Sequence, residues 1–265
     1  MAEASFYDDP SLYDILHAPG VAREVDGLQR IERRFGPPRP GVWLEPACGT
    51  GRYLRVAARR GRRVIGFDLS EEMIAYARRR VERLGPEVER RTRLFVADMA
   101  TFDQQPAMRR AGRGRITFAF NLINTFRHLE STPAALGHLE AMRRTLAPGG
   151  IYVLGISLAA YGSEQPSEEL WEARRGRTQV RHVAQYLPPS PGGRFEMAHN
   201  ILVVSRPGRE DEVRASKFRL RTYSASQLER LVRRAGFEVA GHVDERGSDI
   251  PVVEPGYGLW ALRAR

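Results

Sequence analysis

Val42–Trp43–Leu44–Glu45–Pro46–Ala47–Cys48–Gly49–Thr50–Gly51–Arg52 is where an apolar run meets a glycine turn and then becomes helical. The stretch predicts a strand, a tight loop and a helix that starts at about Gly51. Gly49 and Gly51 have no Cβ, so the backbone there can take positive φ and approach a ligand that a larger residue would hold off. The helix aims its unpaired N–H groups at the same spot, which favours a negatively charged group. Together these features make a cofactor cradle. A dinucleotide site asks for G-x-G-x-x-G, and here the third glycine position holds Leu54, which weakens a nicotinamide reading.

On either side of this loop the pattern alternates between strand and helix. Before it, Leu12, Ile15 and Leu16, then Val21, Val25, Leu28 and Ile31, fall at helical spacing, with Pro19–Gly20 dividing them into two helices. These form a helical cap over residues 1–40. After the linker Gly36–Pro37–Pro38–Arg39–Pro40, predicted strands over Gly41–Ala47, Arg63–Phe67, Thr92–Ala97, Arg115–Phe120 and Ile151–Ile156 are separated by helical patterns, except for an arginine- and glycine-rich piece before the fourth. Ser70 ahead of Glu71–Glu72 reads as an N-cap with an acidic first turn, and that helix is expected to end near Gly85–Pro86. From Ser157 the grammar changes. After a polar segment, three β-rich stretches near Thr178–Leu187, Arg194–Arg206 and Asp211–Tyr223 suggest an antiparallel insertion, residues 157–223. A helix capped at Ser224 and two more strands finish the chain, residues 224–265. The expected fold class is α/β: a Rossmann-like, doubly wound, mainly parallel seven-stranded sheet, core residues 41–156, with the cap and the antiparallel insertion after the fifth strand, all in one domain.

The 265 residues, 42% of them hydrophobic, are enough to bury a substantial core. No apolar run approaches the roughly 20 residues that span a bilayer, and the start of the chain lacks a basic-then-apolar signal, so the expected location is the cytoplasm. Cys48 is the only cysteine and the six histidines form no H-x-x-x-H pair, so no metal site is expected. A net charge of +10 invites a nucleic-acid reading. Lys217 is the only lysine, however, and many arginines fall late in predicted helices (Arg59–Arg60, Arg78–Arg80, Arg143–Arg144, Arg233–Arg234), where they complement the negative helix end. In a doubly wound sheet those ends lie opposite the ligand edge. Most of this charge therefore reads as solvated scaffold.

Glu45, Asp68, Asp98 and Asn121 close successive strands, so in a parallel sheet they converge on one crevice. Asp68, about 17 residues beyond Gly51, lies at the distance where a carboxylate can take a ribose diol. These positions resemble class I S-adenosylmethionine-dependent methyltransferases. Glu45, Ala47, Gly49 and Gly51 match the acidic-x-G-x-G-x-G motif, with Ala47 where the family often has its first glycine. Gly66–Phe67–Asp68–Leu69–Ser70 with Met73 looks like the second motif, Ala97–Asp98–Met99 the third, Asn121–Leu122–Ile123–Asn124 the fourth, and Leu146–Ala147–Pro148–Gly149–Gly150 the turn before the fifth strand. The resemblance implies S-adenosylmethionine as cofactor, S-adenosylhomocysteine as product, and a cofactor site drawn from Glu45, Ala47, Gly49, Gly51, Arg52, Asp68, Leu69, Met73, Asp98, Met99 and Asn121. In it the glycines abut the methionyl part, Asp68 binds the ribose, and Asp98 with the Met99 backbone reads the adenine.

Tyr13–Asp14–Ile15–Leu16 and Ala22–Arg23–Glu24–Val25 look like the Y-D-x-L/I…E-V segment of small-molecule N-methyltransferases, among them aminosugar N,N-dimethyltransferases and glycine methyltransferase-like enzymes. His17 departs from the second tyrosine of many relatives. Thr125–Phe126–Arg127–His128–Leu129 resembles the place of a pocket histidine in aminosugar enzymes. The resemblance thus implies methyl transfer to a small-molecule acceptor, an amine nitrogen first of all, with His128 or Tyr13 taking or relaying the proton. Positioning supplies most of the acceleration, because the sulfonium is already activated. An N/D-P-P-Y/F sequence is absent after the fourth strand, which argues against adenine-N6 or amide methylation. An RNA methyltransferase using the arginines, a non-catalytic S-adenosylmethionine-binding protein, and a homodimer paired through the insertion stay open.

Overall fold

The computed structural model describes residues 7–111 and 115–265; the arginine- and glycine-rich piece ends at residues 112–114, outside the described residues. Two helices come first, α1 (Pro10–His17) and α2 (Val21–Phe35). Asp9 caps α1 by accepting the Ser11 and Leu12 N–H groups. Along α2 the residues Val21, Val25, Leu28, Ile31 and Phe35 form one buried stripe.

The core follows as β1 (Val42–Pro46), α3 (Arg52–Arg59), β2 (Val64–Asp68), α4 (Glu71–Glu82), α5 (Pro86–Arg91), β3 (Thr92–Val96), α6 (Pro106–Ala111), β4 (Ile116–Asn121), α7 (Thr132–Thr145) and β5 (Leu146–Leu158). Then come β6 (Ser167–Arg175), β7 (Thr178–Leu187), β8 (Phe195–Ser205), β9 (Glu212–Arg221), α8 (Ala225–Arg234), β10 (Phe237–Val243) and β11 (Gly256–Ala264). Seven strands make one sheet in the order β10-β11-β5-β4-β1-β2-β3, and β6 to β9 make a second sheet in sequence order. Strands β1 to β5 are parallel neighbours, while β11 runs antiparallel to both β5 and β10. The expected α/β architecture is the one observed.

Alternation along the strands divides the core into two layers. Val42 and Leu44 of β1 pack on one side with Ile65, Phe67 and Ala119, and Trp43 packs on the other with Val64, Phe118 and Phe120. Both faces of the inner parallel strands are covered, so β1 and β4 are buried at every position, whereas the edge strand β3 is not. Ser70, Ser131 and Ser224 cap α4, α7 and α8 through their hydroxyls. Arginines occupy the last turns of α3, α4, α7 and α8, as the charge pattern predicts.

Helix α4 ends at Glu82, close to the expected Gly85–Pro86, and Pro86 then opens the short α5, its ring suiting a first helical position. Two local expectations need correction. The turn Pro148–Gly149–Gly150 lies inside β5 as an irregularity in its pairing with β4. The insertion has four strands and not three, since Ser167–Arg175 adds an edge strand that its nearly uniform exposure hides from pattern reading. Its inner face, through Val180, Leu202 and Val204, packs on Leu12, Ile15 and Leu16 of α1.

Candidate functional site

The loop after β1 turns on three residues in the left-handed region, Ala47 (φ 49°), Gly49 (φ 51°) and Gly51 (φ 66°). Ala47 takes the conformation that glycine adopts without cost, which explains the glycine preference at its position. The loop is tied to the next strand, with Cys48 N–H donating to the Phe67 carbonyl at 2.9 Å. Gly49 N–H donates to Asp68 Oδ2 at 2.8 Å, and Ser70 N–H donates to Asp68 Oδ1 at 3.0 Å. Burial lifts the Asp68 carboxyl above its ordinary range, against the pull of these backbone donors. Each oxygen retains a lone pair for a further donor.

Tyr13, Glu45, Ala47, Gly49, Arg52, Asn121 and Thr125 line one narrow crevice at the strand ends. Two acceptors there have no partner: Glu45 Oε2 and Asn121 Oδ1 are both buried and unsatisfied. Asn121 is fixed by its other end, Nδ2 donating to the Pro46 carbonyl at 2.9 Å. Burial pushes the Glu45 carboxyl well up, Asp68 and Glu24 add to this, and Arg52 opposes it. Orphaned acceptors cost free energy unless a donor arrives, and a cationic donor suits Glu45 best.

Arg52 enters the same crevice from the start of α3, donating to Tyr13 Oη at 3.2 Å and Tyr53 Oη at 3.4 Å. Its guanidinium lies 4.5 Å from the Tyr53 ring centroid. Tyr53 in turn donates to Glu24. Tyr13 stands over the glycine loop, its Cε1 only 3.7 Å from where a Cβ on Gly49 would sit. His17 packs on Tyr13 with ring centroids 4.5 Å apart, and burial, Arg52 and His182 lower its pKa to about 3.

Beyond Asp68 the other strand ends are more open. Leu69 is 71% exposed, Asp98 is exposed, and Asp98 Oδ1 accepts the Ala100 N–H at 2.8 Å. Met99 is held from beneath, its carbonyl 2.8 Å from Nδ1 of the fully buried His138, whose Nε2 meets Tyr152 Oη at 2.9 Å. Met73 faces inward from α4 at 2% exposure and does not line the crevice.

His128 closes the short 3-10 turn Thr125–His128 that follows β4. The turn begins on two strained residues, Ile123 (φ 46°) and Asn124 (φ 64°). Tyr257 Oη accepts the Ile123 N–H at 3.1 Å, and the Asn124 side chain clasps Ser157, accepting its N–H at 2.7 Å. Burial, and secondarily Arg127, lowers the His128 pKa, so its imidazole is neutral near pH 7. His128 does not adjoin the crevice directly. Between it and Tyr13 stands Tyr7, with ring centroids 5.9 Å from each and its Oη 3.4 Å from His128 Nε2. Phe218 of β9 closes the other side, 5.4 Å from His128 and 5.9 Å from Tyr7.

Sequence reasoning overlooked Tyr7, and it gave Asp14 no role. Asp14 has no exposed surface, yet its carboxylate accepts from Arg55 Nη2 (2.5 Å), Thr50 Oγ1 (3.1 Å), Tyr76 Oη (3.0 Å) and Arg175 Nη2 (2.9 Å). It thereby joins the cap to the glycine loop, α3, α4 and the insertion. The Tyr13–Asp14 pair was visible, but nothing local marks partners as distant as Arg175.

A protein family described as Methyltransferase domain matches residues 21–242 of the chain. A curated dTDP-3-amino-3,6-dideoxy-alpha-D-glucopyranose N,N-dimethyltransferase of Streptomyces fradiae is 26% identical over 231 residues, 86% of this chain and 83% of that protein. Among solved structures, DesVI of Streptomyces venezuelae aligns over 98% of both chains, with a TM-score of 0.74 and 20% identity. An amino pentose methyltransferase of Micromonospora echinaspora covers 91% of this chain and 90% of its own, with a TM-score of 0.67 and 22% identity. At these identities the structural likeness speaks to the fold.

Proposed function

Since the chain belongs to the methyltransferase domain family and uses S-adenosylmethionine as methyl donor, we propose that its acceptor is an amine nitrogen on a small molecule of the aminosugar class. The acceptor class rests on the curated relative together with one observation of this chain. A neutral histidine, His128, is set with Tyr7 and Phe218 in an aromatic niche beside the crevice and under the insertion. An amine attacks only as its free base, so a neutral proton acceptor in a desolvated niche suits it.

The donor supplies a methyl group activated by the sulfonium charge. In this reading Glu45 and Asn121 direct their unsatisfied oxygens to the methionyl ammonium, which would relieve both orphaned acceptors. Ala47, Gly49 and Gly51 let the loop backbone approach, Asp68 takes the ribose diol, and Leu69 covers the base that Asp98 and the Met99 backbone read. Arg52 holds Tyr13 over the loop. An arginine donating to the Tyr13 oxygen makes that oxygen a poor proton acceptor, so Tyr13 orients and His128 takes the proton. Met73 serves from the interior, as part of the α4 start that Ser70 caps. Residues 1–265 would then act as one catalytic unit.

Many arginines are engaged in ion pairs, among them Arg55–Asp14, Arg62–Glu32, Arg127–Glu196 and Arg219–Glu130. This favours a small acceptor over a nucleic acid. Among the described residues no helix is long and apolar enough to cross a membrane. We also propose a homodimer through the outer face of the insertion, where Leu170, Val183, Ile201 and Ala215 pair across the sheet in one apolar row and Leu170 and Ile201 are 61% and 47% exposed. Ile201→Lys should give a monomer by sedimentation; a parent that is already monomeric refutes the pairing.

The deciding experiment incubates the protein and S-adenosylmethionine with amines, phenols, carboxylates and RNA, followed by mass spectrometry. Amines should gain one or two methyl groups. Labelling of phenols or RNA alone would overturn the proposal.

A further inference from the structure

The 3-10 turn that carries His128 is bound along one side to the insertion. Arg127 Nε donates to the Arg221 carbonyl of β9 at 2.9 Å, and Arg127 Nη2 pairs with Glu196 Oε1 of β8 at 3.0 Å. From β9, Arg221 Nη1 donates back to the Glu130 carbonyl at 2.8 Å, and Arg219 Nε donates to Glu130 Oε1 at 3.1 Å. Arg219 is exposed, whereas Arg127 is only 2% exposed. A buried ion pair contributes little net stability, because desolvation cancels most of its attraction. Placement of the turn accounts for Arg127 better than stability does. We propose that Arg127 is a positioning residue for methyl transfer, holding the turn to the insertion so that the His128 ring meets the acceptor in one orientation. This rests on the amine reading above, in which His128 takes the proton.

The turn has little of its own to hold that orientation. Its backbone supplies the Arg127 N–H bond to the Asn124 carbonyl at 2.9 Å and the Leu129 N–H bond to the Phe126 carbonyl at 3.1 Å. At its start the Asn124 clasp on Ser157 fixes it to β5, and near its end the arginine bridge fixes it to β8 and β9. A guanidinium is a planar fork, so engaging a carbonyl and a carboxylate together sets direction as well as distance. Phe218, on the same strand as Arg221, is the ring that packs on His128, so the bridge also sets the spacing of these two rings. The Arg127 charge acts on His128 as well. Around the imidazole stand Arg127 with its partner Glu196, Glu130 with its partner Arg219, and the Tyr7 hydroxyl. After burial, Arg127 disfavours the imidazolium and Glu130 opposes it. Nothing in the sequence marked Arg127, because its contact with Arg221 spans 94 positions.

The test separates the position of His128 from its charge. Arg127→Lys keeps the charge and loses the fork, and Arg127→Gln loses both. Each should slow single-turnover methylation of an amine by about tenfold, with the S-adenosylmethionine Kd within about twofold of the parent. In Arg127→Gln the His128 midpoint, followed by NMR, should also rise toward the ordinary histidine value, so the acid limb of the rate profile moves to higher pH. In Arg127→Lys that midpoint should stay near the parent's while the nuclear Overhauser contact between the His128 and Phe218 rings weakens. Glu196→Gln, at a side chain 21% exposed, covers the case in which neither arginine variant folds, and should slow transfer by about threefold without raising the midpoint. Parent-like rates in the folded variants overturn the proposal. So does a cofactor affinity that falls as far as the rate, which would mark general damage. A parent that methylates no amine refutes the amine reading instead, and the ring contact still decides whether Arg127 places His128.

Discussion

Replacing Asp14 by asparagine keeps the volume of the side chain and removes its charge at the point where four elements meet the cap. An amide oxygen cannot accept what two carboxylate oxygens accept from Arg55, Thr50, Tyr76 and Arg175, and the amide hydrogens would face existing donors. Breaking a buried pair by removing one partner costs about 3–5 kcal/mol. Arg55 is 9% exposed at its side chain and stays stranded, whereas Arg175 is 39% exposed and regains water, which points to the lower end of that range. At about 2–4 °C per kcal/mol for a chain of this size, Asp14→Asn should lower Tm by about 6–12 °C near pH 7. The pH dependence follows from the same contacts. Burial raises the Asp14 pKa, but Arg55, Arg175 and Arg80 outweigh it and hold the carboxyl below its ordinary value. A depressed carboxyl stabilises the fold above its unfolded pKa, and that contribution is lost as pH falls through the folded one. The gap between parent and variant should therefore narrow as melts are taken from neutral pH down to about pH 3. A neutral-pH gap below about 2 °C, or a gap that does not respond to acid, refutes the argument.

Asp68→Asn should weaken S-adenosylmethionine binding by about tenfold or more, the cost of one hydrogen bond to a charged acceptor, and calorimetry giving an unchanged Kd would remove the ribose assignment. Gly66→Ala should cost about 1–3 kcal/mol in urea unfolding, because the new Cβ would lie 2.2 Å from Leu54 Cδ1 and 2.8 Å from Cys48 Sγ; a parent-like midpoint would mean that the loop yields. His138 is held neutral by burial, with its pKa pushed down to about 4. The unfolded chain then binds more protons below about pH 6.5, so stability should fall by about 3 kcal/mol from there to pH 4, and His138→Gln should flatten this limb of the urea-stability profile.

The parallel sheet and the acids at its strand ends were legible because each depends on neighbours within a few residues. Glycines at alternate positions, Asp68 closing an apolar run and Ser70 before two glutamates are local signals, and the sheet then collects them on one edge. The acceptor side was not legible in this way. Tyr7 meets His128 and Phe218, and Asp14 meets Arg175, only after distant segments come together, and no periodicity encodes such meetings. His138 sits within the apolar pattern of α7, yet its ring nitrogens hold Met99 and Tyr152. The edge strand Ser167–Arg175 escaped because alternation marks a strand only when one face is buried.

The packing of α1 on the insertion also fixes an order of events during synthesis. Leu12, Ile15 and Leu16 leave the ribosome early, but their apolar partners Val180, Leu202 and Val204 emerge much later, and the Asp14–Arg175 contact spans 161 positions. The strands from β1 to β5 can pair while α1 waits without a surface to cover. Contacts this remote in sequence form late and slow the final step. The nascent chain should thus pass through a stage with β1 to β5 paired and α1 still loose, a stage at which a truncated message would release a half-built enzyme with α1 unprotected from proteases.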